Sequence, residues 1–345
     1  MFPKPFVLQK VKVTVIIPVW NSGKWLPDCL ASLQQQTYQD FTILLVDNGS
    51  TDGSIPPRTS LPINLISFAT NLGFAAAVNA GIRQSQSETI ALLNVDTRPE
   101  PTWLECLVSR LESSPPEVGS IASKMLVMEQ PTLIDDAGDS LSWYGSACKR
   151  GHRNLATQYT EPDEVFSACA GAALYRRKFF EVVGLFDESY TSYFEDIDLG
   201  FRGRIYGYRC SYAPEAMVLH HGHSAGIVGG RYVALMTRNR LMTLLKNIPS
   251  RLWLRHGNAL LFGQLYFFLV YKKPFHSLKG YSQLLPLIPH IIRERQKIMA
   301  AQTISLDTFE AMLSTDLGEP SLSEIIWRKA TAQNFNGRRS KISVC

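Results

Sequence analysis

Short apolar runs alternate with helix-periodic segments along the N-terminal part of the chain, and this alternation restricts the fold more than any other feature. Val13–Pro18 (VTVIIP) is a mostly β-branched run closed by proline, the pattern of a fully buried parallel strand. Trp25, Leu26, Cys29, Leu30 and Leu33 then recur at helical spacing between Ser22 and Gln36, with Asn21 or Ser22 available as a cap. Phe41–Val46 (FTILLV) predicts a second buried strand, broken by Asp47-Asn48-Gly49-Ser50-Thr51-Asp52-Gly53. The pattern repeats with a short strand near Asn64–Phe68, a helix over Phe74–Gln84 and a strand at Glu88–Leu93 running into Asn94-Val95-Asp96. Strands alternating with helices imply an α/β fold with a parallel sheet. Right-handed crossovers place every strand's carboxyl end on one edge, where ligands of open α/β sheets bind.

The loops after the strands are therefore the ones that matter, and they carry Asp47, Asp52 and Asp96. Asp, Asn and Gly also make good turns, so a single such loop is explained by turn chemistry alone; acids on several loops point to a ligand. After about residue 125 the alternation weakens. The stretch from Asp135-Asp136-Ala137-Gly138 to Gln158 is turn-rich and reads as a ribbon or a mobile loop. A dense block follows from Phe166 to Ser224, then an apolar and basic block from Arg240 to Ala300.

Three motifs carry chemistry. Asp96, at a strand end, is placed to hold a divalent cation (Mg2+ or Mn2+), because hard cations take oxygen ligands and often complete their shell with water and substrate phosphate. Phe194-Glu195-Asp196-Ile197-Asp198-Leu199 sets three acids at a helix start. The positive end of a helix stabilises carboxylates there. A carboxylate crowded by others instead has its pKa pushed up and serves as a general base, and Asp196 is the candidate. Finally, His220, His221 and His223 follow an apolar strand beside Gly222, where neutral imidazole can ligate a metal or donate to phosphate. Asn71, Gly73 and Asn79 are expected to shape a pocket wall, with Gly73 permitting close backbone approach. Gly171 and Ala172 are expected to leave room for substrate; tight turns and helix packing explain all five equally well. Arg202 reads as an intrahelical partner of Asp198.

Composition narrows the class. The 345 residues are 45% hydrophobic and 19% charged, which excludes disorder, collagen and a coiled coil. The 6 cysteines form no C-x-x-C pair, so they read as reduced thiols of a cytoplasmic protein. The N-terminus lacks the apolar core of a secretion signal, and no run of 18 apolar residues interrupts the chain. The net charge of +5 is unevenly placed: residues 1–245 hold 21 Lys+Arg against 24 Asp+Glu, and residues 246–345 hold 14 against 6. Within residues 246–300 nine bases face one acid, Glu294.

That division predicts a catalytic domain over 1–245 and a basic, mostly helical region over 246–345. Leu252–Tyr271 is rich in Leu, Phe, Trp and Tyr but interrupted by Arg255, His256, Asn258 and Gln264, and Lys272-Lys273-Pro274 ends it. The 15 residues from Gly257 to Tyr271 fall short of the roughly 20 that span a bilayer. They suit a helix lying on an anionic membrane surface, with Trp253 and Tyr271 at headgroup level. The competing reading is a buried helix capping the catalytic domain, with its charges solvated. No recognition module accompanies the charge, so nucleic acid is not an expected partner.

The motifs together resemble glycosyltransferase family 2. VTVIIPVWNSGKWLPDCLASLQQQTYQDFTILLVDNGSTDGS is similar to the family's opening, and NLGFAAAVNAGI, LLNVDTRP, CAGAALYRRKFFEVVGLFDESY, FEDIDLGFR and PEAMVLHHGHS follow in the family's order. The resemblance covers about residues 12–245. It implies a GT-A nucleotide-sugar-binding sheet with flanking helices, and inverting transfer of a sugar from a nucleoside-diphosphate sugar donor, with a divalent cation, to a saccharide or lipid-linked saccharide acceptor. By the same resemblance Pro18 and Asn21 shape the first nucleotide loop, Asp47 contacts the base or ribose, and Asp52 closes that loop. Asp96 matches the metal-binding acid of the D-x-D element, Asp196 the catalytic base beside Glu195, and His220 a histidine near metal and diphosphate. The first acid of D-x-D is Asn94 here, which brings an amide oxygen but no charge. This N-x-D form is similar to the branch containing many rhamnosyltransferases. A catalytically silent nucleotide-sugar-binding or scaffold protein is the rival expectation. An oxidoreductase is disfavoured because no G-x-G-x-x-G follows the first strand.

Overall fold

The computed structural model describes residues 11–55, 59, 61–222 and 228–318; His223 lies outside them. The alternation of the N-terminal part becomes β1 (Val13–Val19), α1 (Leu26–Gln34), β2 (Phe41–Asp47), β3 (Ile63–Ser67), α2 (Phe74–Gln84) and β4 (Thr89–Leu93). Strands β1, β2, β3 and β4 run parallel in the order β4-β1-β2-β3, with Val19 level with Asp47 and Ile16 level with Leu92. Their carboxyl ends therefore share one edge, as buried apolar runs joined by helices require.

Period-two alternation makes each strand face two cores. Val13, Val15, Ile17 and Val19 of β1 join one cluster with α1, while Ile16, with Leu44 and Val46 of β2, joins another with α2. All of these side chains are at most 1% exposed. Burying one such side chain is worth about 1.5–3 kcal/mol.

The sheet continues as a mixed half. After β5 (Thr97–Pro99) and α3 (Trp103–Ser113) come β6 (Val118–Val127), β7 (Gln130–Asp136), β8 (Asp139–Leu141), β9 (Ala147–Lys149), β10 (Asp163–Val165) and β11 (Ala172–Arg176). Strand β11 inserts antiparallel between β4 and β6. The turn-rich stretch after residue 125 is a ribbon: β7 folds back on β6, and β8 with β9 forms a separate hairpin. Next follow α4 (Arg177–Val183), α5 (Glu195–Ile205) and the long β12 (Arg209–His220), which lies parallel to β6 and pairs through His220 with Thr97 of β5.

The C-terminal region is helical: α6 (Gly229–Asn247), α7 (Ser250–Val270), α8 (Pro274–Leu284), α9 (Ile288–Ala300) and α10 (Leu306–Met312). It encloses a third core in which Met242, Leu244, Leu252, Leu260, Ile291, Ile298 and Phe309 pack with Ile197, Phe201 and Ile205 of α5. Helix α5 thus separates the sheet from the helical region and is packed by both.

Two expectations for α7 change. Tyr271 is 9% exposed with its hydroxyl bonded to Arg240, and Trp253 packs partly buried on the third core, so neither stands outward as an anchor. The outward face carries Leu254, Leu261, Phe262, Leu265 and Leu269, of which Leu254 is 90% exposed. Among the described residues no helix is long and apolar enough to cross a membrane.

Candidate active site

The loops after β1 and β2 are stitched together. Asn21 has a left-handed φ of 48°. Its backbone N–H donates to Ser50 Oγ at 3.0 Å, and its Oδ1 accepts from the Thr51 N–H at 2.7 Å. Asp52 closes the loop by accepting from the Gly23 N–H at 2.9 Å. The Ser54 hydroxyl first, and then that Gly23 bond, hold the Asp52 carboxyl below its ordinary value. Asp47 accepts from the Ser50 N–H at 2.9 Å. Pro18, level with Val46, precedes the loop.

Asn48, which sequence reading passed over, braces the next loop. Its Nδ2 donates to Asn71 Oδ1 at 3.1 Å and to the Gly73 carbonyl at 3.0 Å, while its Oδ1 accepts from the Leu72 N–H at 2.8 Å. Gly73 has φ +93°, and a Cβ there would meet the Thr191 carbonyl at 3.0 Å; only glycine tolerates that approach. Asn79 stands apart from this group. It is buried on α2, donating to the Phe186 carbonyl and accepting from the Phe186 N–H, and so ties α2 to the segment before α5.

The edge of β4 meets β12. Asp96 is 2% exposed, and its Oδ2 lies 3.5 Å from His220 Nε2. The other ring nitrogen, His220 Nδ1, is 2.7 Å from Asp135 Oδ2, and Asp135 also receives Lys149 Nζ at 2.8 Å. Lys149, Asp135, His220 and Asp96 form a row of alternating charge. Burial disfavours the His220 cation, but Asp135 and Asp96 outweigh it and push the imidazole up to about 9. Burial also opposes ionisation of Asp135, yet Lys149 and His220 hold its carboxyl well below the usual range. His221 instead pairs with Glu129 and packs on Trp25.

The segment Cys169-Ala170-Gly171 joins this row to the acids of α5. The Gly171 carbonyl accepts from the Asn94 N–H at 2.8 Å, and a Cβ on Gly171 would lie 3.2 Å from Asn94 Nδ2. One residue earlier, the Ala170 N–H donates to Asp196 Oδ2 at 3.3 Å. Asp196 Oδ1 accepts from the Ile197 N–H at 2.8 Å. Burial raises the Asp196 carboxyl above its ordinary value; burial first, then the neighbouring Asp196, does the same to Glu195. Ala172, 1% exposed, is level with Leu93 on β4. Asp198 pairs with Arg202 at 3.0 Å, as their helical spacing suggested.

Four residues of the ribbon complete the surroundings and were missed by sequence reading. Asp135 and Lys149 belong to the charge row. Asp136 and Asp139 are 1% and 6% exposed and are raised by burial, within electrostatic reach of Asp196. The Asp135-Asp136 pair was visible as a turn signal, but nothing local tied Lys149 to it.

As a cation site, the donor set is lean. Asp96 brings one carboxylate, His220 one imidazole and Asn94 an uncharged amide, and no cluster of three His, Cys, Asp or Glu gathers for a metal among the described residues. That set fits a hard cation whose remaining ligands are water and a diphosphate.

An α/β sheet with acid-bearing loops gathered at the carboxyl edge of its parallel strands is the architecture of the GT-A glycosyltransferases, and solved structures agree. GalNAc-T7 with UDP, GalNAc and Mn2+ matches with a TM-score of 0.53 at 15% identity, over 77% of this chain and 59% of that one. Mannosyltransferase PcManGT from Pyrobaculum calidifontis, in complex with GDP-Man and Mn2+, matches with a TM-score of 0.50 at 14% identity, over 96% and 83%. At these identities the likeness concerns the fold.

The chain belongs to glycosyltransferase family 2: the model described as "Glycosyl transferase family 2" matches residues 14–184. An N-acetylglucosaminyl-diphospho-decaprenol L-rhamnosyltransferase of Mycobacterium tuberculosis is 29% identical over 248 residues, 62% of this chain and 79% of that protein. The O-antigen biosynthesis protein RfbC of Myxococcus xanthus is 28% identical over 61% of this chain, which spans 17% of RfbC. Within the family the chain resembles the rhamnosyltransferase branch.

Proposed function

We propose that this glycosyltransferase is inverting and moves a sugar, with rhamnose the first candidate, from a nucleoside-diphosphate donor to a saccharide or lipid-linked saccharide in cell-surface polysaccharide synthesis. The observation that carries the reading is the short bridge from Asn94 through Gly171 and Ala170 to Asp196, which joins the loop of the cation candidate Asp96 to a half-buried carboxylate of raised pKa. The rhamnosyltransferase relative, whose name specifies a diphospho-decaprenol-linked sugar, supports the choice of acceptor.

In this reading Pro18, Asn21, Asp47 and Asp52 hold the nucleoside, and Asn71 and Gly73 border it. A divalent cation, when bound by Asp96 and His220 beside Asn94, supplies positive charge against the departing diphosphate. Asp196 accepts the proton of the acceptor hydroxyl as that oxygen bonds to the anomeric carbon and the bond from that carbon to the diphosphate breaks. Glu195, Gly171 and Ala172 border the acceptor. The acceptor oxygen attacks from the face opposite the departing diphosphate in a single displacement, so no sugar–enzyme bond forms.

The reading divides the chain into a catalytic domain over 1–245 and a membrane-associating region over 246–345. The exposed stripe on α7, flanked by Arg251, Lys272 and Lys273, supports attachment to an anionic leaflet on the cytoplasmic side, each nearby base adding about 1 kcal/mol. Asn94 in place of an acid permits the rival reading of a silent nucleotide-sugar-binding or scaffold protein, which the retention of Asp96 and Asp196 disfavours.

One experiment tests both. Transfer by the purified chain is assayed with UDP-, GDP- and dTDP-sugars, with Mg2+ or Mn2+, onto an N-acetylglucosaminyl diphospholipid. Asp196→Asn should lower the rate by about 10²–10⁴ while donor binding stays near normal. Strong residual turnover would remove Asp196 as the base, and no transfer from any donor by the unaltered protein would favour the silent reading.

A further inference from the structure

The approach to α5 concentrates unusual backbone. Thr191, Tyr193 and Phe194 have φ of 63°, 69° and 69°, three of the seven non-glycine residues with positive φ among the described residues. They stand immediately before Glu195 and Asp196. Such backbone is strained and persists only where its surroundings over-determine it.

One side chain of α6 supplies much of that determination. Asn239, 0% exposed, donates from Nδ2 to three carbonyls: Tyr190 at 3.1 Å, Ser192 at 2.9 Å and Tyr193 at 2.8 Å. Successive carbonyls of an extended chain point to alternating sides; here the backbone turns back through Thr191 and Tyr193, both at positive φ, and three carbonyls within four residues converge on one amide. The amide is itself oriented, because Asn239 Oδ1 accepts from Arg238 Nε at 2.8 Å. Arg238 Nη2 adds bonds to the Ser189 carbonyl at 3.1 Å and the Tyr190 carbonyl at 2.7 Å. From the other side the Phe74 N–H donates to the Thr191 carbonyl at 3.0 Å, next to Gly73.

We infer that Asn239 is a positioning residue for Asp196: it clamps the turn over residues 190–194 and so sets where the first residues of α5 lie. This rests on the reading of Asp196 as general base. Asn239 touches no reacting atom and acts through the backbone of Tyr193 and Phe194. Helix α6, most of which falls within residues 1–245, is thereby part of the catalytic unit, through a contact that no motif of the acids themselves records.

Two variants of the full chain test it: Asn239→Asp, which keeps the shape and removes both amide donors, and Asn239→Ser, which keeps one short donor. The expected result is a folded protein in at least one of them, with hydrogen exchange accelerated at the amides of residues 191–197. In that variant kcat falls by about 10²-fold, the loss typical of a misplacement of about 1 Å, donor KM stays within about twofold, and the acid limb of the kcat–pH profile shifts. The exchange measurement needs no substrate. Unchanged protection of residues 191–197, a kcat within about threefold of the unaltered protein, a parallel loss in kcat and donor KM, or failure of both variants to fold would each overturn the inference. Active Asn239 variants beside an inactive Asp196→Asn would sink this inference alone, whereas an active Asp196→Asn would sink the underlying reading.

Discussion

Lys246 Nζ of α6 lies 2.9 Å from Asp198 Oδ1 of α5, with the two side chains 1% and 0% exposed. The same ammonium is 2.6 Å from Asp187, and Asp198 also takes bonds from Arg202, Asn247 and the Tyr190 hydroxyl. A charged network therefore ties the helix that carries Glu195 and Asp196 to the helical region.

Removing one partner from such a network leaves a buried charge uncompensated. Lys246→Met should cost about 3–5 kcal/mol of stability, seen as a lower midpoint in urea. Burial raises the Asp187 and Asp198 carboxyls, but Lys246, with Arg202 beside Asp198, outweighs it and holds both below their ordinary 3.8. Their contribution is present above the unfolded value of 3.8 and is lost as pH falls through the lowered folded values. The variant should lose most of this acid-side dependence; an unaltered profile from pH 5 down to pH 2 would refute the assignment.

Glu195 behaves in the opposite sense. Burial first and Asp196 second raise its carboxyl above the ordinary 4.5, so the folded state binds a proton that the unfolded state releases. Its stabilising share is complete below 4.5 and is lost as pH rises through the raised value. Glu195→Gln should flatten the fall in melting temperature as pH rises from 4.5 through the raised value. Parallel curves for both proteins would show that Glu195 does not titrate there.

His220 is a proton-bearing group without a cation, raised to about 9 between Asp135 and Asp96. Ligation of Mn2+ through Nε2 must displace that proton, so apparent Mn2+ affinity should rise about tenfold per unit from pH 7 toward 9. In His220→Asn, with no imidazole proton to displace, the slope should vanish. Calorimetry with Mn2+ and a nucleoside diphosphate measures this, and a flat profile for the unaltered protein would exclude His220 as a ligand.

Membrane attachment is best tested on the surface. A chain ending near residue 245 loses Lys246 and uncovers the third core, so its loss of binding has two explanations. Leu261 and Leu265 are 71% and 56% exposed. Leu261→Glu with Leu265→Glu should leave melting unchanged and abolish flotation with phosphatidylglycerol vesicles, while phosphatidylcholine vesicles bind the unaltered protein weakly. Equal flotation of both proteins on anionic vesicles would remove α7 as the attachment face.

Strand and helix placement in the first half was legible because it depends on local pattern. Phe74–Gln84 is helical over the whole predicted range, and β1 and β2 each extend one residue beyond the predicted runs. Acids on adjacent loops were legible for the same reason: parallel crossovers leave strand ends on one edge. Lys149 and Asp135 were not, because their partnership with His220 depends on how the ribbon folds back on β6. Tyr271 read as a surface anchor from its place at a helix end, whereas the direction of a side chain around an amphipathic helix follows from what that helix packs against.

Sequence alone determined the parallel α/β core, the edge on which the acid-bearing loops at 47, 52 and 96 gather, the acids at the start of α5, and the basic character of the C-terminal region, all through short-range periodicity and residue chemistry. Tertiary structure decided which distant groups meet: His220 between Asp96 and Asp135, Lys246 against Asp198, and Asn239 on the turn before Asp196. Those contacts set charge and backbone geometry at the candidate site, and they arise only when chain segments far apart in sequence exclude water from the same volume.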